Sequence, residues 1–359
     1  MNPAERSRAL EGLRGYAAFL VYLVHAFGLL VTRLYGIDVE RHSILDDPDP
    51  VRATLVFFFR SHYGVDLFFV LSGLLMGDLA LRRWRGARRF LWRRWLRIYP
   101  AYAVSVALVV AAVFLWQGRY PSAADVWANV FLLQGFFVLG VPAIDPPSWS
   151  LSYEALFYIV VPLFAFAASG RAPTLRRAAG FLAIAFVALV AVPALIPVEK
   201  AIYFAYFALF VPGVALGLMD DAARARAARS LPLGWVAAAW IAFTLAVKLR
   251  VFTNADAVYY FASGGAGGLL VLKACDSAGA LGRFLSRRAP LWLGKHSYSF
   301  FLIHYIVVHL WGAATLALVG LEHPLAYAGL FLGGSFALSL VAARALFGAT
   351  ERFYFRAAR

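Results

Sequence analysis

The segment "ALEGLRGYAAFLVYLVHAFG" carries an arginine and a histidine, Arg14 and His25, eleven positions apart. On a helix that spacing returns to nearly the same face, at about 100° per residue, and separates the two side chains by about 16 Å along the axis. Glu11 shares the face one turn before Arg14, where an i,i+3 pair would orient the guanidinium. A guanidinium is a bidentate ligand for phosphate. A neutral imidazole, with a pKa of about 6.5 in water, is suited to take the proton of an attacking hydroxyl. The competing reading of His25 is a packing histidine between helices, but an ionisable group at that depth of an apolar segment is costly and marks a functional site by default.

A second source of cations follows in "RRWRGARRFLWRRWLRIYP", which crowds eight arginines between Arg82 and Arg97. Orientation in a membrane needs only a bias of a few charges. Tryptophans and aliphatic residues are interleaved with the arginines, so the segment reads as an amphipathic interfacial helix running into an apolar stretch at Pro100. The eight arginines, Arg93 among them, are candidates for holding a soluble polyphosphate beside Arg14, and anionic membrane lipid is the other ligand such a helix would take. A phosphopantetheine arm spans roughly the distance from Arg14 to His25. Arg14 and the arginine segment would then hold the nucleotide end of coenzyme A while His25 meets the acyl group.

These residues need elements to position them, and composition says which. Of 359 residues 62% are hydrophobic and 15% charged, with long apolar runs recurring from end to end, which is the pattern of an all-α polytopic membrane protein. The runs predict about ten transmembrane helices, at 10–32, 63–81, 100–117, 149–168, 177–197, 201–219, 232–249, 256–273, 296–319 and 325–347, with 125–138 as an interfacial helix in an outer loop. The first run is too long for a signal-peptide core and reads as a retained helix. Basic residues then fall mainly on one side and the acidic "DVERHSILDDPDP" on the other, so both termini and the arginine-rich helix are expected in the cytoplasm. The net charge of +15 lies between apolar segments rather than on soluble basic faces, which argues against nucleic acid. One cysteine, Cys275, excludes an intramolecular disulfide, and no metal-ligand spacing stands out. Residues 1–359 are expected to be a single integral membrane domain with no appended soluble domain.

Five blocks carry a resemblance: "RALEGLRGYAAFLVYLVH", "GVDLFFVLSGLLMG", "RRFLWRRWLRIYPAY", "PSWSLSYEALFYIVVPL" and "LGKHSYSFFLIHY". Their order and spacing resemble the membrane-bound acyltransferase family 3. The resemblance implies transfer of an acyl group, commonly acetyl, from cytoplasmic acyl-CoA to a hydroxyl of an extracytoplasmic or lipid-linked carbohydrate, in a bacterial inner membrane. It implies that Arg14 and His25 are the family's arginine and histidine pair, and that Arg94 and Arg97 belong to its basic motif. The family often has aspartate where Glu11 stands and a second glutamate where Ala155 stands, so the carboxylate function of that span rests on Glu154.

The remaining assignments complete a site. His25 is expected to act as general base in direct transfer, because no serine or cysteine lies in a recognisable nucleophile elbow; an acyl-histidine intermediate is the alternative. Glu154 would orient His25 or grip the acceptor sugar, with Trp149, Ser152 and Tyr153 beside it supplying stacking and hydroxyl contacts. Asp66 would face Glu154 or a histidine. Ser297 and His304, seven apart and on one face, would line the acyl path, with helix packing the competing reading. "SGGAGG" lies within an apolar span and reads as close helix packing. A transporter or polymerase of lipid-linked saccharides is the rival function, although no inverted repeat or pair of broken helices supports it.

Overall fold

The computed structural model describes residues 3–82, 84–136, 139–168 and 201–352, and these form helices joined by turns and loops, without a strand. The helices are α1 (Pro3–Tyr35), α2 (Pro50–Phe59), α3 (Gly64–Arg82), α4 (Ala87–Gln117), α5 (Ala123–Val130), α6 (Trp149–Ala168) and α7 (Phe210–Leu218). They continue with α8 (Asp221–Ser230), α9 (Leu233–Lys248), α10 (Ala257–Ala274), α11 (Ala280–Leu285), α12 (Arg288–Lys295), α13 (Ser297–Val319) and α14 (Pro324–Leu346). Tight 3₁₀ turns at Pro146–Ser148 and Ala201–Leu209 lead into α6 and α7, and a π-turn at Phe347–Glu351 closes α14. Local chemistry sets several boundaries. Asp49 accepts from the amides of Val51 and Arg52 ahead of Pro50, and Gly118 ends α4 in the left-handed region, the capping arrangements that satisfy orphan backbone groups.

Among the described residues, five segments are long and apolar enough to cross a membrane: Arg8–Tyr35, Pro50–Leu79, Ala87–Gln117, Ser297–Val319 and Pro324–Glu351. A sixth would pair Ala205–Leu218 with Asp221–Ser230 across a bend of 109°. The described helices thus supply five or six of the ten expected spans by length and composition. The sixteen residues of α9 rise only about 24 Å, short of a hydrocarbon core of about 30 Å. The expected span at 177–197 lies outside the described residues. The arginine-rich segment and the apolar run after it form one continuous helix, α4, through Pro100, and α2, which the apolar pattern did not separate, precedes α3.

Helix α1 is the axis of the bundle, packing on α2, α3, α10, α11, α12, α13 and α14. Close approach to α12 depends on Gly294, where a Cβ would lie 1.8 Å from the carbonyl oxygen of Glu11. The α3–α7 contact is equally close, since a Cβ at Gly213 would lie 1.9 Å from the carbonyl oxygen of Val70. Gly294→Ala is therefore expected to push α12 off α1 and destabilise the protein by about 1–3 kcal/mol, the usual cost of overpacking. A thermal melt of the purified variant measures this, and an unchanged melting temperature would mean that α12 yields freely.

Candidate active site

Two cavities open along α1, one at each of the side chains that the sequence singles out. The first, of about 260 Å³, is lined by Glu11, Arg14, Leu74, Arg94, Arg97 and Lys295 among others. Helix α1 supplies Arg14, α4 supplies Arg94 and Arg97 one turn apart, and the Gly294 contact brings Lys295 alongside. The Nε atoms of Arg14 and Arg94 are buried and have no hydrogen-bond partner. Buried donors are ordinarily paired, and both of these guanidinium groups line the cavity together with Arg97 and Lys295. Arg97 is held from behind by Glu351, at 3.7 Å, which in turn accepts from Ser299 Oγ at 2.5 Å. Arg93 lines neither this cavity nor the next.

The second cavity, of about 230 Å³, is lined by His25, His62, Asp66, Trp149, Tyr206, Asn254 and Tyr259 with apolar neighbours. His304 and the Val21 carbonyl together fix the state of His25. His304 Nδ1 is 3.0 Å from the carbonyl oxygen of Phe300, a pairing that requires an N–H there, so its Nε2 carries the lone pair. That lone pair accepts from His25 Nδ1–H at 2.9 Å, with the Val21 carbonyl oxygen 3.1 Å from the same nitrogen. The hydrogen-bond pattern thus assigns the tautomer in which His25 Nε2 is an unprotonated acceptor. Asp66 accepts from Tyr259 Oη and Ser263 Oγ, each at 2.6 Å. The serine of "SGGAGG" is therefore a partner for the carboxylate as well as a small packing residue.

Glu154 belongs elsewhere than expected. It accepts from Ser72 Oγ at 3.2 Å and from Tyr158, and it lies close enough to Arg14 for the charges to interact. Five residues beyond Trp149, it sits about 7.5 Å deeper along α6, on the arginine side, while the ring of His25 is engaged by His304. Trp149 lines the histidine cavity, but Ser152 Oγ accepts from the Gly135 amide at 2.8 Å, and Tyr153, 1% exposed, packs among Phe69, Phe136, Tyr206 and Phe207. Ser297 is buried at the start of α13 and lines neither cavity. Among the described residues no group of three His, Cys, Asp or Glu converges to hold a metal. Sequence reasoning missed Asn254, Tyr206, Tyr259 and Glu351 as site residues. The one available signal was Glu351, an isolated acid in a basic carboxy-terminal stretch.

The acidic loop between α1 and α2 packs over the histidine side. Arg60 donates to the carbonyls of Lys248, at 2.6 Å, and His42, Arg250 donates to the Glu40 carbonyl at 2.7 Å, and His62 lies 3.7 Å from Glu40. Within the loop, Asp47 accepts from Arg52 and His42 at 2.6 Å each. The Arg52 guanidinium holds the Asp47 carboxyl well below the usual carboxylate range. A depressed pKa contributes stability fully present above the unfolded value, about 3.9, and lost as pH falls through the folded value. Hydrogen-exchange protection of residues 38–49 is therefore expected to persist as pH is lowered past 3.9 and to fade only below it. Arg52→Gln should move that loss upward toward about pH 4; an unshifted profile would show that Asp47 does not hold the loop.

Comparison with known proteins adds the family. Nodulation protein 10 of Rhizobium leguminosarum bv. viciae is 31% identical over 134 residues, 32% of this chain and 36% of that protein. The peptidoglycan O-acetyltransferase OatA of Listeria monocytogenes is 30% identical over 118 residues, 28% of this chain and 19% of that protein. The exopolysaccharide production protein ExoZ of Rhizobium meliloti is 35% identical over 107 residues, 27% of this chain and 32% of that protein. The matched part thus spans less than half the length of each of these relatives. No solved structure matches the chain. The acyltransferase domain matches across residues 7–344, taking in both cavities, α1 and the arginine-rich α4, and the chain belongs to the acyltransferase 3 family.

Proposed function

We propose that the protein is an integral membrane O-acyltransferase that moves an acyl group, acetyl foremost, from acyl-CoA in the arginine cavity to a carbohydrate hydroxyl in the histidine cavity. One observation carries this reading: His304 commits Nδ1 of His25, leaving Nε2 as a base in one cavity, while the same helix presents Arg14 to the other. Arg14, Arg94, Arg97 and Lys295 would hold the donor phosphates, the unpaired Nε atoms of Arg14 and Arg94 gaining partners on binding. Coenzyme A is soluble, so the arginine cavity would face the cytoplasm and the histidine cavity the outer side, with both termini inside. The peptidoglycan acetylation in the name of OatA and the exopolysaccharide in that of ExoZ support a surface carbohydrate as acceptor, free or lipid-linked. The family match over 7–344 supports one membrane domain as the catalytic unit.

In the transfer, His25 Nε2 takes the acceptor hydroxyl proton as its oxygen bonds to the thioester carbon. The positive charge that develops on the ring is shared through Nδ1–H with His304 Nε2. Collapse of the tetrahedral intermediate breaks the carbon–sulfur bond, and the proton on His25 passes to the departing thiolate. Trp149 would stack on the sugar, with Asn254 and His62 as hydrogen-bonding groups at the wall. Glu154 would act on the donor side, balancing the charge of Arg14.

Donor binding tests the reading without knowledge of the acceptor. A ligand at about 100 times its dissociation constant stabilises the native state by about 2.7 kcal/mol. Acetyl-CoA and CoA are expected to raise the melting temperature of the detergent-purified protein, dephospho-CoA less so, and Arg94→Ala with Arg97→Ala should remove the shift. No shift with any CoA species in a folded sample would overturn the donor assignment.

A further inference from the structure

A third and larger cavity, of about 1050 Å³, runs along the outside of α4 and meets neither His25 nor Arg14. Its walls are apolar and aromatic: Leu91, Trp92, Trp95, Ile98, Tyr99 and Ile159. Trp92, Trp95 and Tyr99 form a ladder, their ring centroids 5.1 and 5.3 Å apart and nearly parallel. Trp92 and Trp95 are 57% and 45% exposed and Ile159 56%. One end carries the exposed arginines Arg85, Arg88 and Arg89. Arg94 stands in the wall, its guanidinium over the rings of Phe90 and Tyr158 at 5.5 and 5.4 Å, and it also lines the arginine cavity.

Polarity along this groove changes in a fixed order. From Arg88 to Tyr99 is about 16 Å along α4, passing from guanidinium groups through indole rings to aliphatic and aromatic walls, and α4 then continues as an apolar span. A bilayer leaflet changes in the same order, from phosphate through the interface to hydrocarbon. A soluble nucleotide would leave the apolar walls unmatched, and a neutral lipid would leave the arginines unmatched. The geometry points to a binding site for an anionic phospholipid of the leaflet on the arginine side, its phosphate on Arg85, Arg88 and Arg89 and a hydrocarbon chain along Trp92, Trp95 and Ile159. The lipid packs α4 against α6 and steadies Arg94 in the wall between groove and donor cavity. The assignment rests on the groove itself and holds whether or not acyl-CoA is the donor.

Native mass spectrometry of the full chain in a nonionic detergent tests it, with phosphatidylglycerol, phosphatidylcholine of the same chains, glycerol 1-phosphate and CoA as probes. Phosphatidylglycerol should bind about tenfold more tightly than phosphatidylcholine, in line with the attraction of a few basic side chains for an anionic headgroup. Arg85→Gln with Arg88→Gln and Arg89→Gln should abolish that preference, Arg88→Gln alone should reduce it, and Trp92→Ala with Trp95→Ala should weaken both lipids alike. Equal binding of the two lipids to the unmodified protein would reduce the groove to ordinary boundary lipid and overturn the assignment. Displacement of phosphatidylglycerol by glycerol 1-phosphate at equal concentration would overturn it in favour of a soluble phosphate site. Displacement by CoA would overturn it by giving the groove to the donor.

Discussion

His25→Asn is expected to lower acyl transfer by about 100- to 10,000-fold, the usual contribution of a positioned general base, while CoA still stabilises the protein. Asparagine keeps a polar side chain of similar reach, so the His304 pairing has a partial substitute, but an amide has no basic nitrogen to take the hydroxyl proton. The measurement is movement of labelled acetyl from acetyl-CoA into membrane glycans, with the CoA-induced melting shift recorded on the same sample. The two readouts separate the cavities, because Arg14, Arg94, Arg97 and Lys295 line a space that His25 does not. Loss of transfer with the shift intact places His25 in the chemistry. Transfer at the unmodified rate would remove it and leave the histidine pair as packing.

His304→Phe is expected to slow transfer as well, by less than His25→Asn, although its side chain is fully buried and touches the proposed acceptor only through His25. The Val21 carbonyl oxygen still holds the proton on Nδ1, but the imidazolium formed in the transfer loses the neighbouring lone pair that shares its charge. A general base is worth about 100- to 10,000-fold in all, and losing one partner of its charged form is expected to cost about 10- to 100-fold of that. His304→Gln is the discriminating variant. Its amide oxygen can accept from His25 Nδ1–H, so transfer should recover at least about tenfold over His304→Phe, with CoA stabilisation unchanged in both. A purely structural role predicts the opposite order, since Phe300, Phe301 and Tyr22 surround His304 and favour an aromatic replacement. Equal rates in the two variants would also count against the charge-sharing role.

Within one helix, the sequence alone was enough. The helical class, the common face of Arg14 and His25 and their separation follow from the 3.6-residue period, and the α1 of the structure runs through both. The mixture of arginine and tryptophan before Pro100 marked an amphipathic segment by composition, and the structure makes it the first half of one long helix, α4. The span count did not follow in the same way, because an apolar run reports hydrophobicity and not helix length: α9 is apolar but short, and the apolar α7 bends by 109° into the charged α8.

What only the tertiary structure decided is which distant side chains meet. His25 and His304 are 279 positions apart and share a hydrogen bond. Asp66 is held by Tyr259 and Ser263, and Arg97 is backed by Glu351. Glu154, five residues after the tryptophan that lines the histidine cavity, lies on the arginine side because α6 carries it inward from that rim. Periodicity gives each residue an angle on its own helix but no offset along its neighbour. That offset comes from close backbone contacts such as Gly294 on Glu11 and Gly213 on Val70, which exist only once the helices have packed.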